Sequence, residues 1–214
     1  MNDDIGPVKR QYRQSERAER TAETRARIRT AAASLFLDRG FVAASMKQIA
    51  KSAGVGERTL YDAFPTKTAL FEHVVGVAIA GDERPIPVAE RPEFAKALAE
   101  HDLGAAIAEF ANYATEILER SGALIMVAVE SAGADPTMCH FADRGAAATR
   151  DNAARFVEHL SSDGPLSPDA ADTVFALVSP HVHQLLRHGS GFTADEYRCW
   201  LTRSIAALII LDND

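Results

Sequence analysis

The 214-residue chain is 47% hydrophobic and 25% charged, with a formal net charge of −7 and a pI near 5.5. That is enough apolar mass for a core of more than one unit, and no apolar run approaches the roughly 20 residues of a membrane span. An acidic chain argues against a nucleic-acid binder only when its charge is evenly spread. Here residues 1–75 hold 13 basic against 9 acidic side chains, a net +4, and residues 76–214 hold 10 against 21, a net −11. A polyanion responds to the local field, so the basic N-terminal third is where one would bind.

The first 22 residues are polar, lack the apolar segment of a secretion signal and read as a flexible basic arm. In it Arg10, Arg13, Arg17 and Arg20 can follow a DNA backbone or remain solvated. Residues 23–75 then show three short helices and a tight turn. Ile28, Ala32, Leu35 and Phe36 form one apolar stripe that ends at Gly40. Ser45 caps a second helix, Met46 to Ala53, and Gln48 completes a capping box. Gly54 supplies the turn, and Ile49, Ala50 and Val55 fill the wedge between the helices. A third helix, Glu57 to Phe64, turns Leu60 and Phe64 inward and Arg58, Thr59, Tyr61 and Asp62 outward. A short helix with a small polar and cationic outer face, set across its partner by a glycine turn, has the geometry of helix-turn-helix recognition. Pro65 stops it, Thr66 caps the next helix, and Lys67 stands in that helix's first turn.

The run LFLDRGFVAASMKQIAKSAGVGERTLYDAFPTKTALF resembles the DNA-binding domain of the tetracycline-repressor (TetR) family of bacterial one-component regulators. The likeness covers about a quarter of the chain, with LF…RGF, S…IAK.AGV, TLY..F and K..L in order. It implies an all-α homodimer whose N-terminal three-helix domain binds a palindromic operator and whose larger C-terminal helical domain senses a ligand, about nine helices in all. Position by position, it places Ser45, Met46 and Lys47 near backbone phosphates, Arg58, Thr59 and Tyr61 toward the groove with Tyr61 on phosphate, and Lys67 on phosphate. Arg58 is the candidate for base reading, because a bidentate arginine on guanine discriminates by about 1–3 kcal/mol per pair. A solvated helix face is the alternative for Arg58 and Lys47. Two positions depart from the family pattern. Ala63 stands where relatives carry His or Tyr, and Gly56 stands where they carry a capping Ser.

Downstream, residues 76–214 read as a helical ligand-sensing and dimerisation domain. Gly81 to Pro92, with Pro85, Pro87 and Pro92, reads as a linker. Asp102 caps a helix to about Arg120, Gly122 divides it from Ala123–Ala132, and a long helix follows from Pro136 to near Ser162. Ser167 with Pro168 starts an eighth helix to about Arg187, kinked at Pro180, and Thr193 with Glu196 forms a capping box for the last. The last two helices are apolar on more than one side, so Val174, Val178, Val182, Leu185, Trp200, Leu201, Ile205 and Leu208 are assigned to a two-fold dimer interface. Phe110, Tyr113, Ile117, Met126, Val129, Met138, Phe141, Phe156, His159 and Phe175 are a candidate apolar cavity lining, with ordinary core packing as the alternative.

His181 and His183 are two apart and diverge around a helix, so they cannot readily share a metal. Cys139 and Cys199 form no metal or redox motif, and a reduced cytoplasmic compartment is the default. With no phosphate loop, nucleophile elbow or paired-carboxylate signature, the sequence reads as a non-enzyme without cofactor. The expected function is a ligand-responsive repressor with three partners: double-stranded operator DNA, a second copy of the chain and a small apolar or aromatic effector. A helical protein-interaction module that does not read DNA is the alternative.

Overall fold

In a computed structural model the backbone is described for residues 7–84, 90–162 and 164–211, with side chains from residue 16 onward. Ten α-helices and one π turn are present among them: α1 (Pro7–Ala43), α2 (Met46–Ala53), α3 (Glu57–Ala63), α4 (Lys67–Ala80), α5 (Pro92–Ala97), α6 (Leu103–Ser131), α7 (Pro136–Leu160), α8 (Ala170–Leu177), α9 (Pro180–Gln184), the π turn Leu185–Gly189, and α10 (Ala194–Ile209). The only extended pairing among the described residues is a single antiparallel bridge between Leu166 and Ile210. The chain is all-α, and it divides into two units, Met1–Val74 and Val75–Asp214.

In the first unit, Ile28, Ala32 and Phe36 of α1 are buried, as are Ile49, Ala50, Leu60, Leu70 and Phe71. Leu35 of the expected stripe is half-buried. Phe36, Phe41 and Phe71 make a three-ring cluster with centroids 5.1–5.9 Å apart. Each such side chain contributes roughly 1.5–3 kcal/mol on leaving water, so this triad fixes α4 against α1. Gly40, at φ 73°, breaks the helical path inside α1 and lets Phe41 fold back into the triad. The segment expected to be a flexible arm differs. Residues 7–22 are helical and continue α1, while residues 1–6 of that arm lie outside the described residues. Arg, Gln, Glu and Ala are good helix formers, and extending a helix already nucleated by its packed half avoids the nucleation penalty.

The second unit is built around α6, which packs against α5, α7, α9 and α10. Its core joins Phe94, Phe110, Tyr113, Phe156, Val174, Tyr197, Leu201 and Ile205. Asp102 caps α6 by accepting from the Ala105 N–H at 2.8 Å, as its position predicts. Gly122, however, does not divide α6. It sits inside one continuous helix, where a Cβ would lie 3.1 Å from His183 Nδ1, so the glycine marks a close helix crossing rather than a turn.

The eighth helix also differs. Instead of kinking at Pro180 the chain breaks after α8, and Ser179 caps a new helix with Pro180 at its first position, where a missing N–H leaves nothing unpaired. Ser167 and Pro168 form a turn before α8, whose N-cap is Asp169. The Ser167 hydroxyl donates to the Asp169 carboxylate. Pro92, assigned to the linker, opens α5, and Pro85 and Pro87 lie outside the described residues. The capping box of Thr193 and Glu196 at α10 is present.

Candidate nucleic-acid interface

The recognition elements are set by local chemistry at each end of α2 and α3. Ser45 Oγ accepts from the Gln48 N–H at 3.3 Å while Gln48 Oε1 accepts from the Ser45 N–H at 3.0 Å, which closes the capping box expected from the sequence. Gly54 ends α2 at φ 64°, ψ 37°, and its N–H donates back to α2 carbonyls. A side chain there would be strained, so the turn between the two helices depends on glycine. Gly56 is the N-cap of α3 in extended conformation with no side-chain hydrogen bond, and α3 forms without the capping hydroxyl. At the other end the Phe64 N–H donates to the Leu60 carbonyl at 2.8 Å and the Phe64 ring is buried.

Leu60 is fully buried, so α3 is anchored on one side and open on the other. Arg58 leaves 95% of its side chain exposed and lies 4.0 Å from Asp62, one turn later. At that exposure the pair contributes little and restrains the guanidinium weakly. Glu57 and Thr59 are exposed beside it, and Tyr61 is 48% exposed. Thus Arg58, Thr59 and Tyr61 share one open face.

The α2 candidates separate. Ser45 and Lys47 are exposed, but Met46 is buried in the core, so only its backbone N–H, at the first turn of α2, is placed to meet an anion. Lys67 is held from within its own unit. Its ammonium donates to the carbonyls of Phe41 (2.7 Å), Ala44 (3.0 Å) and Val42 (3.3 Å) and lies 4.3 Å from the centre of the Phe41 ring. It thereby holds together the turn between α1 and α2.

Two arginines that the sequence reading passed over complete the frame. Arg25 donates to the Ala63 carbonyl at 2.9 Å and lies 4.3 Å from the centre of the Phe64 ring, tying α1 to the C-terminal end of α3. A Cβ on Gly54 would lie 4.0 Å from the Arg27 guanidinium. The signal was present, because Arg25 stands three residues before Ile28 on the face that packs inward. His73 of α4 sits 5.0 Å from the Phe64 ring, with Nε2 buried and unpartnered among the described residues. Burial, and then the charges of Arg25 and Arg29, hold its pKa below the usual histidine value.

The candidate cavity residues of the second unit divide between core and half-buried positions. Phe110 and Phe156 stack at 4.0 Å and 7°, and with Tyr113 and Met138 they are core residues. Ile117, Met126, Val129, Phe141, His159 and Phe175 are half-buried. His159 Nε2 donates to the Glu100 carbonyl at 3.0 Å. A small cavity of about 180 Å³ takes in Tyr113 and Ile117 together with Arg91, Glu116 and Arg120. Burial pushes the Tyr113 hydroxyl up to about 12. A larger open cleft of about 940 Å³ lies on α5, α6 and α10, lined by Lys96, Glu109, Asn112, Phe192, Arg198 and Cys199 among others, and sets side chains of both charge signs around a mostly apolar surface.

The eight residues assigned to a dimer interface divide as well. Val174, Val178, Leu201 and Ile205 are buried in their own core, so the single chain covers apolar surface that the periodicity had left for a partner. Val182 and Trp200 are half-buried, and Leu185 and Leu208 are 65% and 56% exposed. A polar cluster joins α6 to α9 and the π turn. Glu119 Oε1 accepts from Arg187 Nε at 2.5 Å and pairs with His183 Nε2 at 2.8 Å, and the His183 ring meets Tyr197 edge-on at 4.8 Å. The Arg187 bond, with His183 assisting, holds the Glu119 carboxyl below its usual range. Burial outweighs Glu119 and lowers His183. No cluster of three metal-ligating side chains occurs among the described residues.

An anchored short helix with an open cationic face, set by a glycine turn after a capped helix, defines the class: an all-α protein with an N-terminal helix-turn-helix. Residues 28–74 match the family described as bacterial regulatory proteins, tetR family, so the chain carries a TetR-family N-terminal domain. Solved structures share the fold over nearly the whole length. A protein from Mesorhizobium loti MAFF303099 assigned to the TetR-family transcriptional regulators is 19% identical, with a TM-score of 0.63, covering 90% of this chain and 99% of that one. NalD, the secondary repressor of the MexAB-OprM multidrug efflux pump in Pseudomonas aeruginosa, is 18% identical, with a TM-score of 0.65 and coverage of 90% and 100%. A protein from Saccharomonospora viridis assigned as a transcriptional regulator, solved in complex with choline, is 17% identical, with a TM-score of 0.66 and coverage of 89% and 100%. No curated protein matches the sequence.

Proposed function

We propose that the protein is a cytoplasmic, ligand-responsive transcriptional repressor that binds a palindromic operator as a homodimer. The observation that carries this reading is the open face of α3, where Arg58, Thr59 and Tyr61 project from a helix anchored by Leu60 and Phe64. Arg58 reads base edges with Thr59 beside it facing the groove, while Tyr61, Lys47, Ser45 and the Met46 N–H take phosphate and fix register. Lys67 is a positioning residue in this account, since its three carbonyl partners set the turn that presents α2.

Leu185 and Leu208 point to the surface that a second copy covers, a two-fold contact that presents two identical reading heads. The fold shared with NalD supports repression, and the choline complex of the Saccharomonospora viridis neighbour supports a small organic effector. An apolar or aromatic effector binds the helical unit and regulates by binding the DNA-free state more tightly. Helices long and apolar enough to cross a membrane are absent among the described residues.

Selection from a random double-stranded DNA pool at a fixed salt near physiological tests the reading. Enrichment of an inverted repeat supports it, and recovery of an unenriched pool favours an interaction module that does not read DNA.

A further inference from the structure

Helix α3 is seven residues long, and neither of its ends is fixed by its own side chains. Gly56 at the N-cap makes no side-chain hydrogen bond, and Ala63 in the last turn brings only a methyl group. A two-turn helix is marginal alone, so the direction of its axis is set by what holds it from outside. Leu60, its one buried residue, pins the helix at a single point. A helix pinned at one point can still tilt about it.

The second point of attachment comes from α1. Arg25, 38 residues earlier, donates from Nη1 to the Ala63 carbonyl at 2.9 Å, and its guanidinium lies 4.3 Å from the centre of the Phe64 ring. The last carbonyls of a helix have no partner within it, and the helix dipole leaves negative charge there, so a cation at this place is favoured twice over. His73 of α4 meets the same Phe64 ring at 5.0 Å, so the end of α3 is held from α1 and from α4. Arg58, two residues before Leu60, is 95% exposed, with Asp62 at 4.0 Å as its neighbouring charge. Its reach to a base edge is therefore governed by the tilt of α3. A helix with its side chains is about 10–12 Å across, so a tilt of about 10° at Leu60 shifts a group about 6 Å away by about 1 Å. Bidentate contact needs hydrogen bonds of about 2.7–3.2 Å from groups placed within about 0.5 Å, and that shift is enough to lose it.

We propose that Arg25 is a positioning residue for sequence reading: by fixing the Ala63 carbonyl and the Phe64 ring it sets the tilt of α3 at which Arg58 reaches a base edge. This inference rests on the DNA-binding function proposed above and adds to it a determinant of specificity that itself touches no base. Three roles for Arg25 differ in their consequences. Loss of a positioning residue affects the sequences that Arg58 distinguishes. Loss of a phosphate contact weakens all sequences alike and lowers the salt slope, and loss of a residue that only stabilises the fold affects neither once the protein is folded.

The test uses the full chain and compares wild type, Arg25→Gln, Arg58→Ala and the double variant, each shown by circular dichroism to be folded at the assay temperature. Dissociation constants are measured for the selected duplex, for single-base-pair variants of its half-site and for an unrelated duplex. Arg25→Gln loses about tenfold in affinity for the selected duplex and flattens discrimination at the same positions as Arg58→Ala, while its affinity for the unrelated duplex and its salt slope stay those of wild type. Once Arg58 is alanine, the further change Arg25→Gln costs little, because the group that it positions is gone. Phe64→Leu keeps a buried apolar side chain and every charge but removes the ring beside the guanidinium. It reproduces the flattened discrimination with a wild-type salt slope, and it carries the test if Arg25→Gln does not fold. Wild-type discrimination in folded Arg25→Gln overturns the inference, as does an equal loss in the presence and absence of Arg58. A salt slope lowered by about 0.9 with the same loss on every duplex also overturns it and makes Arg25 a phosphate contact. A wild-type chain that selects no DNA overturns the underlying function, and this inference with it.

Discussion

Replacing Lys67 by methionine separates two roles for one ammonium group. Three carbonyls lose their donor: those of Phe41 and Ala44, where the bonds are partly buried, and that of Val42 at the surface. Hydrogen bonds to a charged group contribute about 1.5–3 kcal/mol each when desolvated. Water replaces the donor at exposed Val42, so that bond adds nothing, and replaces it partly at Phe41 and Ala44, so about 1 kcal/mol apiece is the fitting figure for those two. Loss of the ammonium from the Phe41 ring adds about 0.5–1 kcal/mol. The expected destabilisation is about 2–3 kcal/mol, confined to the first unit, and with a urea slope near 1 kcal/mol/M it lowers that unit's midpoint by about 2 M. The assay is already in the chain, because its one tryptophan, Trp200, lies in the second unit. Urea unfolding followed by far-ultraviolet circular dichroism then acquires an earlier phase in Lys67→Met, while Trp200 fluorescence follows the wild-type curve. Unchanged unfolding by both probes, combined with a salt slope of DNA binding lower by about one, refutes the positioning role and returns Lys67 to phosphate binding.

Other outcomes follow from the same geometry. Gly122→Ala gains up to about 1 kcal/mol of helix propensity, but its methyl group meets His183 Nδ1 at 3.1 Å on a ring held by Glu119 and Tyr197. A net loss of about 1 kcal/mol is expected in the Trp200-monitored midpoint, and a rise would show that the crossing can yield. His73 has a folded-state pKa lowered from 6.5 by burial and by Arg25 and Arg29, so the native first unit binds fewer protons than the unfolded chain. Its contribution is intact above 6.5 and is lost as pH falls toward the lowered value, and His73→Phe flattens the pH dependence of the first unit's urea midpoint between pH 7 and 5; parallel profiles would remove His73 from that role. Leu185→Glu combined with Leu208→Glu should convert a dimer to a folded monomer in sedimentation velocity, and a dimer that persists would place the interface elsewhere.

What the sequence discloses depends on how local each determinant is. The capping boxes of Ser45 with Gln48 and Thr193 with Glu196, and the cap of Asp102, are made within three residues and are legible. The α2 and α3 boundaries follow, because Gly54 and Pro65 punctuate them. Gly122 looks like a break in the sequence, since its reason for being glycine is His183, far along the chain and on another helix. Pro180 looks like a kink because Ser179's capping role emerges only once α8 has ended. Apolar girth on the last helices suggests a partner for Val174, Val178, Leu201 and Ile205, but periodicity cannot tell one's own core from another subunit's. For Lys67 the sequence shows a cation at a helix start, and nothing local reveals that its bonding partners lie 23 to 26 residues earlier.

The central claim is that α3 reads DNA sequence through Arg58. The direct measurement compares dissociation constants of wild type and Arg58→Ala, at one salt concentration, for the selected duplex and for each single-base-pair variant of its half-site. Wild type should lose about 1–3 kcal/mol at one or two positions, and the Arg58→Ala chain should lose that discrimination there while it still binds. Equal discrimination by both proteins at every position would contradict the claim.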